Sequence, residues 1–339
     1  MQSSVEPLNR AAPVRESVAV REGILEVPGE VSLHHGGRLA GMRIAWRLAG
    51  PVSAPVICAL GGISAHRRVC LAEDAWWGEI AGPGMALDVT HWRVLGFDYL
   101  GGSGETSGPD VEGDWPSVSS YDQADCLLRL LNHLGVKALR AIVGASYGGM
   151  VALAFGERYP ERVSRIVSVS GADRAHPLAT AWRSVQRQIV RLAGECGRPA
   201  DGLKLARALA MSTYRSAEEF AARFAAPPRE RDGAFRFPVE DYVLARGEEY
   251  AARYRPQSFL RLSESIDLHQ IDAARVFVPT TAVAVREDQL VPLADMRALA
   301  ARLPRARLVE ISSIYGHDAF LKETEQLRAI LETALGEPS

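Results

Sequence analysis

The segment AIVGASYGGM, residues 141–150, constrains the fold of this chain more than any other part of the sequence. An apolar run typical of a buried strand leads directly into Ser146, and a helical pattern follows. Gly144 and Gly148 permit a turn too sharp for larger side chains. Such a strand–turn–helix unit presents a serine hydroxyl at the end of a sheet. A plain glycine-rich turn with a capping serine is the competing interpretation.

The rest of the chain supplies the sheet that such a turn needs. A segment centred on Gly36 and Gly37 predicts a β-hairpin. Ser120 and Gln123 are spaced as a capping box for the helix that precedes the serine turn. Short apolar runs indicate further buried strands at 54–60, 91–98, 139–145, 164–170, 278–285 and 306–312. Their alternation with helical patterns predicts an α/β fold with a mostly parallel central sheet and helices on both faces.

Residues 172–270 interrupt this alternation with helical, arginine-rich segments in which no clear strand pattern occurs. We therefore predict a core formed by residues 21–171 and 271–339, with an inserted helical cap, or lid, at 172–270. Residues 1–20 lack the apolar region of a signal peptide, and we interpret them as a flexible N-terminal arm.

Composition narrows the class of protein. The 339 residues carry a net charge of −2, which gives no general affinity for nucleic acid or for an anionic membrane. No apolar run reaches the roughly 18 residues that a membrane-spanning helix needs. The four cysteines lack CxxC or metal-type spacing, so we interpret them as reduced thiols of a cytoplasmic protein and expect no metal site.

A nucleophilic serine needs a base and an acid. His317 is the one histidine that follows the last predicted strand, and it lies in the loop before the last helix. Asp288, favoured over Glu287, follows the strand at 278–285. The order serine, acid, histidine is that of the triads of α/β-hydrolase folds. Taken singly, Asp288 is equally well a turn residue and His317 a surface histidine, but the order and the strand-end positions together favour a triad.

Two backbone N–H groups should stabilise the oxyanion of an acyl-transfer intermediate. One is the N–H of Tyr147, directly after the nucleophile. The other comes from the segment ALGGIS after the strand at 54–60, where Leu60 or Gly61 is the predicted donor.

Several longer segments resemble the homoserine O-acyltransferases of the α/β-hydrolase superfamily, and the resemblance covers nearly the whole chain after residue 30. GASYGGMVALAFGERYPERV is similar to that family's GGSMGGMQALxWAxxYPxRV, and TYRSAEEFAARF to its TYRS-x-x-EF-x-x-RF. SVQRQIV resembles its RQAI helix, and GHDAFL closely matches its GHDxFL.

The resemblance implies roles for individual residues. Ser146, Asp288 and His317 fall on the triad, Arg187 on an arginine that binds an amino acid's carboxylate, and Asp318 on a residue that holds its ammonium group. One guanidinium and one carboxylate at fixed spacing suit a zwitterion. The departures from the family pattern, and the need for a cation near the acyl group, suggest four residues of the acyl pocket: Gly62, Ile63, Tyr147 and Arg215.

The function implied is two-step, ping-pong acyl transfer from acyl-CoA to the hydroxyl of L-homoserine, in methionine biosynthesis, by a cytoplasmic homodimer without a resident cofactor. Cap arginines and the His66-Arg67-Arg68 cluster lead us to favour succinyl-CoA over acetyl-CoA as donor. L-serine is an alternative acceptor, because one methylene changes binding by only about 1–3 kcal/mol. Two competing hypotheses are a serine esterase with the same triad and a non-catalytic binding module of the same fold.

Overall fold

The predicted hairpin forms one edge of the sheet in the computed structural model, which describes residues 18–109 and 115–336. Strands β1 (Ala19–Ser32) and β2 (Arg38–Gly50) pair antiparallel. Gly36 adopts a φ of 91° in the turn between them, which only glycine adopts readily. Residues 1–17 of the predicted N-terminal arm lie outside the described residues. The predicted end of the arm at residue 20 is wrong, because Ala19 and Val20 belong to β1.

Eight strands form the central sheet. Besides β1 and β2 they are β3 (Val56–Leu60), β6 (Arg93–Phe97), β7 (Ala141–Ala145), β8 (Ile166–Val169), β11 (Thr280–Val285) and β12 (Ala306–Ile311). Their order is β1-β2-β6-β3-β7-β8-β11-β12. β2 pairs antiparallel with β6, and every pairing beyond it is parallel, so the predicted mostly parallel sheet is confirmed. A small separate pair consists of β4 (Ala81–Gly82) and β5 (Leu87–Asp88).

Helices cover both faces of the sheet, as predicted. In β3, Cys58 and Leu60 join one apolar cluster, whereas Ile57 and Ala59 join another, as the two-residue period of a strand requires. The first cluster contains helices α1 (Ser120–His133), α2 (Tyr147–Arg158) and α8 (Leu293–Arg302), and the second contains α9 (Ala319–Lys322) and α10 (Thr324–Leu335). Within the described ranges, no helix has the length and apolar character to cross a membrane.

The start of α1 corrects the predicted capping box. Ser119, not Ser120, is the N-cap residue, and Asp122 completes a box with it. Ser120 Oγ instead lies 2.6 Å from Nδ1 of the buried His269. Gln123 bonds both the N–H and the carbonyl of Leu100. Ser120 and Gln123 therefore join α1 to other parts of the fold, a use that the local spacing does not reveal.

The segment between β8 and β11 is largely helical, with α3 (Pro177–Glu195), α4 (Pro199–Tyr214), α5 (Ala217–Arg223), α6 (Pro238–Ala251) and α7 (Pro256–Asp267). The expectation that it lacks strands is wrong, since β9 (Arg229–Arg231) and β10 (Ala234–Arg236) form a hairpin. Asp232 and Gly233 have φ values of 55° and 74° at its turn. An Asp-Gly pair favours this geometry and was the local signal for it.

Candidate active site

Ser146 occupies a sharp turn between β7 and α2. Its φ and ψ are 55° and −121°, a region that costs a non-glycine residue on the order of 1–3 kcal/mol. A Cβ on Gly144 would lie 2.1 Å from the carbonyl oxygen of Gly148, and one on Gly148 would lie 2.3 Å from that of Leu60. Both glycines are therefore required for the turn, which distinguishes it from an ordinary N-cap: the Ser146 side chain makes no cap hydrogen bond.

The structure brings Ser146, His317 and Asp288 together. His317 Nε2 lies 2.7 Å from Ser146 Oγ, and its Nδ1 lies 2.7 Å from Asp288 Oδ2. The other oxygen of Asp288 accepts hydrogen bonds from the N–H groups of Leu290 and Val291, at 2.9 and 3.0 Å. The carboxylate is thus fixed by backbone, and a neutral His317 is oriented to accept the serine proton.

The electrostatics of His317 suit a base. Burial disfavours the imidazolium, but the Asp288 carboxylate, its hydrogen bond and the neighbouring Asp318 outweigh burial and raise the pKa of His317 above its ordinary value. The imidazolium that forms when Ser146 loses its proton is therefore stabilised. Arg183 acts on the same pKa in the opposite direction.

Beside the triad lies a cavity of about 210 Å³, which we term the catalytic cavity. Ser146, His317 and Asp318 lie on its wall, together with Gly62 and Ile63 of the predicted acyl pocket. Its apolar wall residues include Met150, Trp182, Phe259 and Leu290. Leu60 and Gly61 do not line this cavity. Leu60 is the last residue of β3 and pairs with Gly144, and the buried Gly61 follows it directly.

The segment that follows β3, from which one oxyanion donor is predicted, is fixed by hydrogen bonds to the carbonyl of Gly61. The carbonyl of Gly61 accepts hydrogen bonds from the N–H of Gly148 at 2.9 Å and from the hydroxyl of Tyr99 at 2.8 Å. Tyr147, whose N–H is the other predicted donor, is the first residue of α2 and directly follows Ser146. The assignment of Leu60, Gly61 and Tyr147 as oxyanion donors stays a prediction, and these bonds fix the loop on which it depends.

The side chain of Tyr147 does not line the catalytic cavity, so its assignment to the acyl pocket is wrong. Its ring is buried in the core, with its hydroxyl 2.6 Å from Ser265 Oγ on α7. Tyr99 packs against this ring edge-on at 5.1 Å. Tyr147 thus links the turn at Ser146 to the inserted segment.

Arg187 also lies off the wall of the catalytic cavity. Its guanidinium binds Asp267 at 2.6 Å and Ser263 at 3.1 Å, behind Arg183, which does line the cavity. Arg183 contacts the same Asp267, with its Nε at 2.8 Å from Oδ1. Two guanidinium groups thus share one carboxylate, which leaves a net positive charge at this wall.

Arg207, which sequence reasoning missed, takes the position expected of Arg187. It lines the catalytic cavity between the rings of Tyr214 and Tyr250, at 4.9 and 4.8 Å, and its Nη1 donates to the Tyr214 hydroxyl. Within the described part of the chain no carboxylate pairs with it directly, although Asp318 acts on it from farther away. The segment LARALAM held a signal, since Arg207 is the single charge among small and apolar residues.

Asp318 and Arg215 form a second element of the site. Asp318 lies on the cavity wall next to His317, as its predicted role requires. Arg215 Nε binds Asp318 Oδ2 at 2.9 Å, and Arg215 lines an adjoining cavity instead of the catalytic one. Its assignment to the acyl pocket is therefore wrong. Among the residues that the structure describes, the catalytic cavity is lined by three arginines, Arg174, Arg183 and Arg207, and by two carboxylates, Asp295 and Asp318. Of these, Asp318 is the carboxylate next to the triad histidine.

Metal chemistry receives no support from the side chains. Among residues 18–109 and 115–336, no group of three or more His, Cys, Asp or Glu side chains could hold a metal ion. The groups that the structure brings together are the serine, the histidine with its carboxylate, and the charged side chains on the cavity wall.

Known proteins resemble this chain in sequence and in fold. The sequence profile of the alpha/beta hydrolase fold matches residues 55–324. A homoserine O-succinyltransferase of Xanthomonas campestris pv. campestris is 45% identical over 317 residues, 91% of this chain and 84% of that protein. The solved structure of a homoserine O-acetyltransferase from Bacillus anthracis superposes with a TM-score of 0.83 at 19% identity, covering 95% of this chain and 98% of that one. An esterase structure gives 0.84 at 19% identity, covering 94% and 100%.

Proposed function

Because the chain belongs to the homoserine O-acyltransferases, enzymes of the alpha/beta hydrolase fold, we propose that it moves an acyl group from a coenzyme A thioester to L-homoserine through an acyl-Ser146 intermediate. One observation carries this proposal: the cavity that contains Ser146 and His317 also contains Arg207 and Asp318. These opposite charges match the carboxylate and ammonium groups of an amino acid.

In the first half-reaction His317 Nε2 takes the proton of Ser146 Oγ as this oxygen attacks the thioester carbonyl carbon. The oxyanion formed is stabilised by backbone N–H groups of the Tyr147 and Gly61 region. The carbon–sulfur bond then breaks, His317 returns the proton to the departing sulfur, and free coenzyme A leaves an acyl ester on Ser146. The raised pKa of His317 favours proton uptake.

In the second half-reaction the hydroxyl of homoserine attacks the same carbonyl carbon. His317 takes the hydroxyl proton, the bond from carbon to Ser146 Oγ breaks, and His317 gives the proton back to the serine. Arg207 and Asp318 hold the two charged ends of the amino acid, so that its hydroxyl and not water meets the ester. An esterase has no need of this pair of charges, which is why we favour transfer over hydrolysis.

Succinyl-CoA is the donor that the cavity charges favour. Arg183 lies on the cavity wall, and the cluster of Arg183, Arg187 and Asp267 carries a net positive charge that suits the free carboxylate of a succinyl group. Arg67, by contrast, is satisfied by Asp98 at 2.6 Å. Replacing Arg183 by leucine should lower kcat/KM for succinyl-CoA about tenfold or more and leave that for acetyl-CoA little changed. Equal loss with both donors would contradict the assignment.

The decisive experiment is a matrix of L-homoserine and L-serine against succinyl-CoA and acetyl-CoA, followed by release of free thiol. We expect sustained thiol release only when an amino acid is present, fastest with homoserine and succinyl-CoA. Ser146→Ala should abolish it, and Ser170→Ala, which alters another serine on the cavity wall, is the matched control. Steady thiol release at the same rate with and without an amino acid would show that the protein is a hydrolase. Faster turnover with L-serine than with L-homoserine would show that L-serine is the acceptor.

An apolar stripe on the inserted segment supports the homodimer. Leu178, Val185 and Leu192 recur every seven residues on α3 and are each more than half exposed, as 51%, 53% and 65% show. Such a stripe suits packing against the same helix of a second copy. Light scattering should give a dimer mass, and Val185→Glu should produce monomers.

The proposal also includes a cytoplasmic location and a role in methionine biosynthesis.

A further inference from the structure

A second cavity, of about 620 Å³, adjoins the catalytic cavity, and we term it the cationic cavity. Arg207 and Asp318 lie on the walls of both, so the two cavities are neighbours at these residues. Its walls come from α4, α5 and α6 of the inserted segment and from the region around His317 in the core. The cationic cavity therefore lies between the two parts of the protein.

The cationic cavity is strongly positive. Six cationic side chains face three carboxylates, and the cations are Arg207, Arg215, Arg223, Arg246, Arg253 and Lys322. The carboxylates are already engaged: Asp318 by Arg215, Glu219 by Arg215 and Arg223, and Glu249 by Arg246. In the described part of the chain, Arg253 and Lys322 have no carboxylate partner within ion-pair distance. Excess positive charge of this kind favours an anionic ligand.

Aromatic rings hold two of these guanidinium groups in an orientation that suits a phosphate. Arg223 and Arg246 lie over the ring of Tyr242, at 4.2 and 5.7 Å from its centre. A guanidinium that lies over a ring is held in place while its N–H edge remains available for a bidentate contact.

We propose that the cationic cavity binds the phosphate-bearing nucleotide end of the acyl donor, with Arg253 and Lys322 as its phosphate ligands. This inference rests on the proposed use of a coenzyme A thioester. The thioester then reaches Ser146 past Arg207, where the two cavities meet. Arg253 from the inserted segment and Lys322 from the core would grip the phosphates from two sides.

The test compares a donor with phosphates and a donor without them. Lys322→Ala and Arg253→Ala should each raise KM for succinyl-CoA about tenfold, and the double variant more, because each loses one charge-assisted contact. With the N-acetylcysteamine thioester of succinate, which has no phosphate, wild type and variants should be equally fast. Adenosine 3′,5′-bisphosphate should compete with succinyl-CoA in the wild type and about tenfold more weakly in the variants.

Arg129→Ala is the matched control, since it removes one exposed positive charge from α1 without touching either cavity. It should leave KM for both donors unchanged, whereas Lys322→Arg should restore KM for succinyl-CoA. An unchanged KM in both alanine variants, or an equal loss with both donors, would overturn the inference. Failure of the wild type to release thiol from any coenzyme A thioester would instead overturn the proposed function.

Discussion

Replacing Arg207 by methionine should separate binding of the acceptor from the chemistry of the triad. Methionine keeps much of the side-chain volume but removes one positive charge from the wall of the catalytic cavity. Losing one partner of a desolvated charge pair costs about 2–5 kcal/mol. We therefore expect kcat/KM for homoserine to fall roughly 30-fold to several-thousand-fold.

The stability of this variant should change less than its activity. Arg207 has no direct carboxylate partner in the described structure, so its removal leaves no buried charge unpaired. What is lost is the contact with Tyr214 and Tyr250, worth about 0.5–2 kcal/mol for each ring. Denaturant unfolding measures this loss independently of activity.

Two assays make the prediction specific. In a rapid-mixing experiment without amino acid, Arg207→Met should still release a stoichiometric burst of thiol, because Ser146, His317 and Asp288 are intact. In steady state, thiol release should require far more homoserine than in the wild type. Arg207→Lys should recover part of the loss, since it restores the charge but not the two-pronged contact.

Arg187→Met is the informative counterpart. The structure engages Arg187 with Asp267 and Ser263, so this variant should lower the free energy of unfolding while the apparent KM for homoserine stays within about twofold. If Arg187→Met instead raised that KM about a hundredfold and Arg207→Met left it unchanged, our assignment of the acceptor site would be refuted and the assignment from sequence resemblance would stand.

Three further predictions follow from the hydrogen bonds around Ser146. Asp288→Asn should lower kcat by about 10³–10⁴-fold with little change in KM, because the amide favours the wrong histidine tautomer; steady-state kinetics measures it, and a loss under tenfold would contradict the role. The pKa of His317 is raised, so the acid limb of kcat/KM against pH should lie above an ordinary histidine's 6.5 and move down in Asp288→Asn. Stability depends on pH in the opposite direction from activity. The pair of protonated His317 and Asp288 stabilises the fold fully below the unfolded-state pKa of the histidine, and this stabilisation is lost as pH rises through the folded-state pKa. Tyr147→Phe should lower the unfolding free energy by about 1–3 kcal/mol through the bond to Ser265 and should not change donor preference, which a donor comparison checks.

The sequence predicts best what depends on the ends of strands. Ser146, Asp288 and His317 follow β7, β11 and β12, and the carboxyl ends of parallel strands meet at one edge of the sheet. Periodicity and chain order are therefore enough to bring these three residues together. The same reasoning places Gly62 on the cavity wall, because it follows β3.

Residues on helices are harder to place, because a helix presents neighbouring positions in different directions. Arg183 and Arg187 lie one turn apart on α3 and share Asp267, yet only Arg183 reaches the catalytic cavity. Arg207 reaches it from α4, where small neighbours permit close approach. Which arginine faces the substrate depends on how α3, α4 and α7 pack together, and that is tertiary information absent from local patterns.

The fold itself does not decide between acyl transfer and hydrolysis, since an esterase and a homoserine O-acetyltransferase superpose on this chain almost equally well. The decision lies in the competition for the acyl-Ser146 ester. Water competes at about 55 M, whereas a well-oriented bound nucleophile acts at effective concentrations of about 10⁵–10⁸ M. In the proposed function, Arg207 and Asp318 would fix both charged ends of the amino acid and so give its hydroxyl that advantage. On this proposal, a variant that loses either anchor should keep its triad, and water should then hydrolyse its acyl-enzyme.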